Sequence, residues 1–202
     1  GDVYKRQLHG WSLEPNLKDR WQPLTTLLIK AGYQVEYLDL PGFEIPLKKP
    51  LTLNQYKDYV LKIIQKKQSV ILIGHSFGGQ LATRIASSKP KNLLALILIA
   101  PSGIIDRSLI KSTIRKIFML LAKVGKKTTQ VFSLATQEKI KKTLYLFARE
   151  KDYFNAPTHL KKTMSNVLAD EILGDLQKIN TPTLIIWGEK DKFTPIKNAS
   201  TF

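Results

Sequence analysis

The amino-acid sequence predicts an α/β protein built on a mostly parallel, doubly wound sheet. Three observations lead there. Apolar runs alternate with amphipathic stretches along most of the chain. Those runs, such as Val70-Ile71-Leu72-Ile73 and residues 93–99, are continuously apolar, the pattern of strands covered on both faces. One of them stops at Gly74-His75-Ser76-Phe77-Gly78, and a helical pattern starts at once.

The elements follow in order. Residues 1–7 are polar where an apolar strand should lead into Leu8-His9-Gly10-Trp11. They read as non-native or disordered sequence, and the next four residues as a strand end and tight loop. Residues 17–31 carry helical periodicity through Leu17, Trp21, Leu24, Leu27 and Leu28, closed by Gly32. Residues 33–38 are rich in strand formers and end at Asp39-Leu40-Pro41-Gly42-Phe43. Residues 52–67 form a second amphipathic helix, with Leu53, Tyr56, Tyr59, Val60, Ile63 and Ile64 on one side. Strands are expected at 70–73, 93–99 and 183–187, a helix at 79–88, and another starting near Pro195. Between 101 and about 181 the alternation stops. That stretch reads as helices only, near 109–124, 137–149 and 158–168. An all-helical insertion between parallel strands is expected to be a lid over a site at the strand ends. The expected division is a core of residues 8–100 and 182–202 and a lid of residues 101–181.

Bulk composition narrows the function classes. The 202 residues fit one domain with an insertion, and 43% hydrophobic content suffices for a sizeable core. The absence of cysteine excludes disulfides and thiolate metal sites, and suits a cytoplasmic location. No apolar run approaches bilayer length, so no stable membrane insertion is expected. The first residues lack the apolar centre of a signal peptide. The net charge of +16 comes from scattered lysines that read as solvated surface. No nucleic-acid-binding motif accompanies them, so no nucleic-acid partner is expected. The basic, amphipathic stretch 109–124 reads as a lid helix in preference to a membrane-surface helix.

The pentapeptide around Ser76 carries the chemistry. A strand-to-helix turn this tight holds a serine hydroxyl out at the end of a sheet. Side chains at 74 and 78 would collide with neighbouring backbone, which explains the glycines. Neither a Gly-x-Gly-x-x-Gly nor a Gly-Lys-Ser/Thr fingerprint is present, so a phosphate-binding turn is not indicated. A serine nucleophile needs a base, a group that orients the base, and donors for the oxyanion. The expected donors are the backbone N–H groups of Phe77 and Trp11, with Gly10 allowing close approach. Asp191, just past the last strand, is the candidate acid; a loop aspartate of this kind can equally be only a turn former.

Four motifs in this order resemble the α/β-hydrolase superfamily, in its lid-bearing serine hydrolase branch. His9-Gly10-Trp11 is similar to its oxyanion loop, and Asp39-Leu40-Pro41-Gly42-Phe43 to its Asp-x-Pro-Gly-x turn. Gly74-His75-Ser76-Phe77-Gly78-Gly79 is similar to its nucleophile elbow, and Trp187-Gly188-Glu189-Lys190-Asp191 to the turn that presents its acid. The resemblance implies catalytic Ser76 and Asp191, an oxyanion hole from Trp11 and Phe77, no metal and no cofactor. It implies a small-molecule substrate, an ester or related carbonyl with an apolar acyl group, cleaved through an acyl-enzyme. Carbon–carbon bond cleavage with the same triad, or a non-catalytic binding protein on this scaffold, are the alternatives. A serine at the elbow argues against the branches that use a carboxylate nucleophile. The family order of serine, acid, histidine places the catalytic histidine after Asp191. His9 is expected to prop the oxyanion loop, His75 to turn away from the pocket, and His159 to lie in the lid. The chain is accordingly expected to be a fragment lacking the family's first two strands and its histidine segment, and to be inactive by itself.

Overall fold

A computed structural model describes residues 3–12, 16–104, 156–191 and 193–202. Five strands form one parallel sheet: β1 (Val3–Leu8), β2 (Gln34–Tyr37), β3 (Ser69–His75), β4 (Leu93–Ile99) and β5 (Thr183–Ile186), in the spatial order β2-β1-β3-β4-β5. The order reverses at β1, where β2 lies on one side and β3 on the other. Ligands of open α/β sheets bind outside the carboxyl ends of strands at such a switch point.

The helices are α1 (Gln22–Lys30), α2 (Leu53–Ile64), α3 (Phe77–Ala86), α4 (Thr158–Leu168) and the short α5 (Leu173–Leu176). The single helix expected over 17–31 is divided. A 3-10 helix, Leu17–Trp21, precedes α1, and Pro23 stands at the start of α1. Proline has no N–H to bond back into the preceding turn, so the α-helical ladder starts afresh there. At α2, Thr52 and Gln55 form a reciprocal capping box. The segment after Pro195 is a 3-10 helix, Ile196–Thr201. The helices expected near 109–124 and 137–149 lie outside the described residues. Among those described, no helix is long and apolar enough to cross a membrane.

The core lies between the sheet and α2 and α3. Leu8, Leu53, Tyr56, Val60, Ile64, Leu72, Leu81, Ile85 and Leu96 are fully buried within it. The expectation of disorder is corrected for residues 3–7, because Val3–Leu8 is an inner strand of the sheet. Its polar side chains are buried with partners. Arg6 pairs with Glu36, its register neighbour on β2, at 2.5 Å. The Lys5 ammonium lies 3.0 Å from the Tyr33 ring centroid, and Gln7 Nε2 donates to Thr25 Oγ1 at 3.1 Å. Buried charges are tolerated when paired in this way.

Candidate active site

Ser76 is the one residue between β3 and α3. Its backbone sits at φ 51°, ψ −114°, outside the regions an L-residue favours, at a cost of about 1–3 kcal/mol. Tertiary hydrogen bonds hold it there. The Ser76 N–H donates to Ile99 O at 3.0 Å, and the Ser76 carbonyl accepts from Gln80 N at 3.0 Å and Ser102 N at 3.1 Å. A Cβ on Gly74 would strike the Gly78 carbonyl, and one on Gly78 the Leu8 carbonyl. Strand end, turn and helix start thus touch backbone to backbone. Phe77 opens α3, so its N–H is one of the first-turn donors without an intrahelical acceptor. The Ser76 hydroxyl makes no hydrogen bond among the described residues.

Sheet register brings the second loop alongside. Leu8 pairs with Gly74, so residues 9–11 continue beside residues 75–77. A Cβ on Gly10 would lie 2.8 Å from His75 Nδ1 and 3.3 Å from Ser76 Cβ. The Trp11 ring meets Phe77 edge-on at 5.5 Å and Phe43 at 5.0 Å. His9 is buried, and its Nδ1 donates to the Gly10 carbonyl at 2.7 Å, the propping role expected of it. The His75 ring packs against Gly10 at the exposed rim, because strand pairing ends there and the neighbouring loop is the surface it meets. Partial desolvation pushes this imidazole below its ordinary value, and the charge of Asp191 opposes that shift.

Asp191 follows the strand whose last residue, Ile186, is in register with Ile99 and through it with His75. The three strands therefore end at one edge of the sheet. Asp191 Oδ1 accepts from the N–H groups of Phe193 at 2.8 Å and Thr194 at 3.0 Å, and Oδ2 accepts from Thr194 Oγ1 at 2.8 Å. Trp187 Nε1 closes the turn by donating to Thr194 O at 2.7 Å. Burial raises the Asp191 pKa, but the Thr194 and Phe193 bonds and the nearby His75 outweigh it and hold the carboxyl below its ordinary value. The turn-forming role is thus observed.

Two neighbours of this loop cluster went unread in the sequence. Glu44 and Tyr37 stand behind His9: Tyr37 stacks on its ring, and Glu44 Oε2 lies 3.5 Å from its Nε2. Neither belongs to a catalytic motif, and only the packing of the Asp39-Phe43 turn against β1 brings them there. His159 is exposed on α4. Among the described residues, no group of three or more His, Asp or Glu side chains is arranged to hold a metal.

Comparison with known proteins agrees with this architecture. The chain is 31% identical over 189 residues to the uncharacterized hydrolase YugF of Bacillus subtilis (strain 168), covering 84% of this chain and 67% of YugF. It is 38% identical over 103 residues to the pimeloyl-[acyl-carrier protein] methyl ester esterase of Proteus mirabilis (strain HI4320), covering 50% of this chain but only 38% of that enzyme. The crystal structure of a hydrolase from Pseudomonas aeruginosa PA01 shares the fold, with a TM-score of 0.66 at 16% identity over 99% of this chain and 77% of the other. The family described as serine aminopeptidase, S33, matches residues 18–202. Spanning β2 to β5 and the elbow, that match shows that the chain belongs to this hydrolase family of the α/β-hydrolase superfamily.

Proposed function

We propose that the protein hydrolyses small-molecule esters, with Ser76 as nucleophile and an acyl-enzyme as intermediate. The observation that carries this reading is the strained Ser76 backbone, held by bonds to Ile99, Gln80 and Ser102. Strain of this kind persists only when the surroundings over-determine it, and it clusters at functional sites. The Trp11 and Phe77 N–H groups are the proposed oxyanion donors, each worth on the order of 100- to 1,000-fold in rate. Asp191 is proposed to orient the imidazole that takes the Ser76 proton. His9 is not given that role, because Gly10 and Glu44 engage its ring, nor is His159, exposed on α4.

The ester preference is supported by the relatives named as methyl ester esterases. The aromatic cluster of Trp11, Phe43 and Phe77 beside the elbow favours an apolar acyl group. We also keep the division into core and lid as a proposal. α4 supports it, since Leu160 lies against Gly42 and Thr163 accepts a hydrogen bond from the Leu51 N–H at 2.9 Å. Arg107, Arg115 and Arg149, candidates for contacting an acidic substrate, lie outside the described residues.

The test, in a chain that carries the histidine expected after Asp191, is hydrolysis of p-nitrophenyl esters of graded chain length by the parent and by Ser76→Ala. The expected result is a loss of kcat on the order of 10⁴-fold or more in the variant, with labelling by a fluorophosphonate at Ser76 alone. Turnover that survives Ser76→Ala would refute the reading.

A further inference from the structure

The loop that offers the Trp11 N–H is braced from behind by a buried group of polar side chains. His9 is 2% exposed. A carbonyl can only accept, so the 2.7 Å contact between His9 Nδ1 and Gly10 O fixes a proton on Nδ1. The peptide joining Gly10 to Trp11 is planar and trans, with its C=O and N–H pointing in opposite directions. Holding the Gly10 carbonyl toward His9 therefore aims the Trp11 N–H away from His9. Gly10 itself abuts Ser76.

The other ring nitrogen faces Glu44. His9 Nε2 is buried, has no better partner, and lies 3.5 Å from Glu44 Oε2. The Glu44 carboxylate thus faces the buried Nε2 edge of the ring and is placed to meet any donor there. The carboxylate is fixed in turn. Its Oε1 accepts from the Tyr37 hydroxyl at 2.9 Å, and its Oε2 from the Leu40 N–H at 3.2 Å. Tyr37 also stacks on His9 with ring centroids 5.7 Å apart, and Phe43 meets it edge-on at 4.6 Å. Burial pushes the Glu44 carboxyl up, but the bonds from His9, its own backbone and Tyr37 outweigh it and hold it at about 2.

We propose that Glu44 is a positioning residue for the reaction: through His9 it locks the Gly10 carbonyl and so aims the Trp11 N–H. This rests on the reading of Trp11 as an oxyanion donor. Glu44 touches no reacting atom and acts only through its contact with the His9 ring. Its side chain should therefore matter to the transition state and not to substrate binding.

The experiment, again in a chain that carries the histidine expected after Asp191, compares Glu44→Ala, Glu44→Gln and Ser76→Ala by p-nitrophenyl butyrate kinetics, with ¹⁵N NMR of the His9 ring. Glu44→Ala is expected to lower kcat by about ten- to 100-fold, with KM changed by no more than about twofold, since part of one oxyanion donor is lost. Its His9 signals should show exchange between tautomers. The glutamine amide can donate to Nε2 while Nδ1 keeps its proton, so Glu44→Gln should restore kcat to within about threefold of the parent and keep a single His9 tautomer. Unchanged kcat in Glu44→Ala alongside an inactive Ser76→Ala would overturn the Glu44 role and leave the serine reading standing. Equal losses in the two Glu44 variants with the His9 tautomer intact in both would overturn it as well, since a merely structural part gives that pattern. Full turnover by Ser76→Ala would instead remove the serine reading, and the Glu44 role with it.

Discussion

The strand and helix that flank Ser76 are buried, whereas the strand that leads to Asp191 is largely exposed. Leu72 and Ile73 of β3 and Phe77, Leu81 and Ile85 of α3 are all buried. By contrast, the strand leading to Asp191 carries Leu184 at 55% and Ile186 at 46% exposure. The serine backbone is held by Gln80, four residues on, and by Ile99 and Ser102 at the far-off end of β4. The aspartate is held by Phe193 and Thr194, two and three residues away. The Ser76 backbone is thus held across the sheet, while the Asp191 turn is held locally. Strained backbone must be over-determined, but a carboxylate in a relaxed turn need not be.

The glycines give the largest expected contrast. Gly78→Ala drives a Cβ into the backbone of Leu8 and His9, which cannot move aside as a side chain can, and should cost about 3 kcal/mol or more. Gly188→Ala, in the acid turn, meets nothing within 4 Å and should change stability by less than about 0.5 kcal/mol. Urea unfolding of both variants measures the difference, and equal costs would erase the comparison.

Next in size is Arg84, on the helix that starts at the elbow. Its Nε donates to Asp175 Oδ2 at 2.5 Å and a terminal nitrogen to Asp170 Oδ1 at 2.7 Å. Arg84→Ala would leave a mostly buried carboxylate without its cation, and a loss of about 2 kcal/mol in thermal or urea unfolding is expected. A neutral effect would mean that the apolar face of α3 anchors it unaided.

Ser76→Gly should stabilise the protein by about 1 kcal/mol, since glycine relieves the positive φ at a smaller entropic cost. A lower melting temperature in this variant would show that the turn is not strained.

The smallest effect is expected at Asp191→Ala, under about 1 kcal/mol at neutral pH because the turn is partly solvated. Its folded-state pKa is depressed, so the carboxylate contributes fully above its ordinary value of 3.8 and loses that contribution as pH falls through the folded value. The stability gap between parent and variant should therefore close on acidification below about pH 4. A gap that widens would reverse the sign of the electrostatic account.

Much of this was legible in sequence. Residues 93–99 and 158–168 form the expected strand and helix with the same bounds, and the elbow lies between β3 and α3. β1 was not legible, because Tyr4, Lys5, Arg6 and Gln7 carry no strand-like apolar pattern. Its place in the sheet depends on Glu36, Tyr33 and Thr25, partners that lie 18 or more residues away.

What the sequence determined by itself were the short-range matters. Backbone crowding at Gly74, the Thr52 cap and the Asp191 turn each follow from residues a few positions apart. Only tertiary structure decided which loops share the sheet edge, that His75 lies over Gly10, and that Glu44 and Tyr37 brace His9. The physical reason is that strand register and loop packing join groups far apart in the chain, and no local pattern records which distant partner a buried polar group will find.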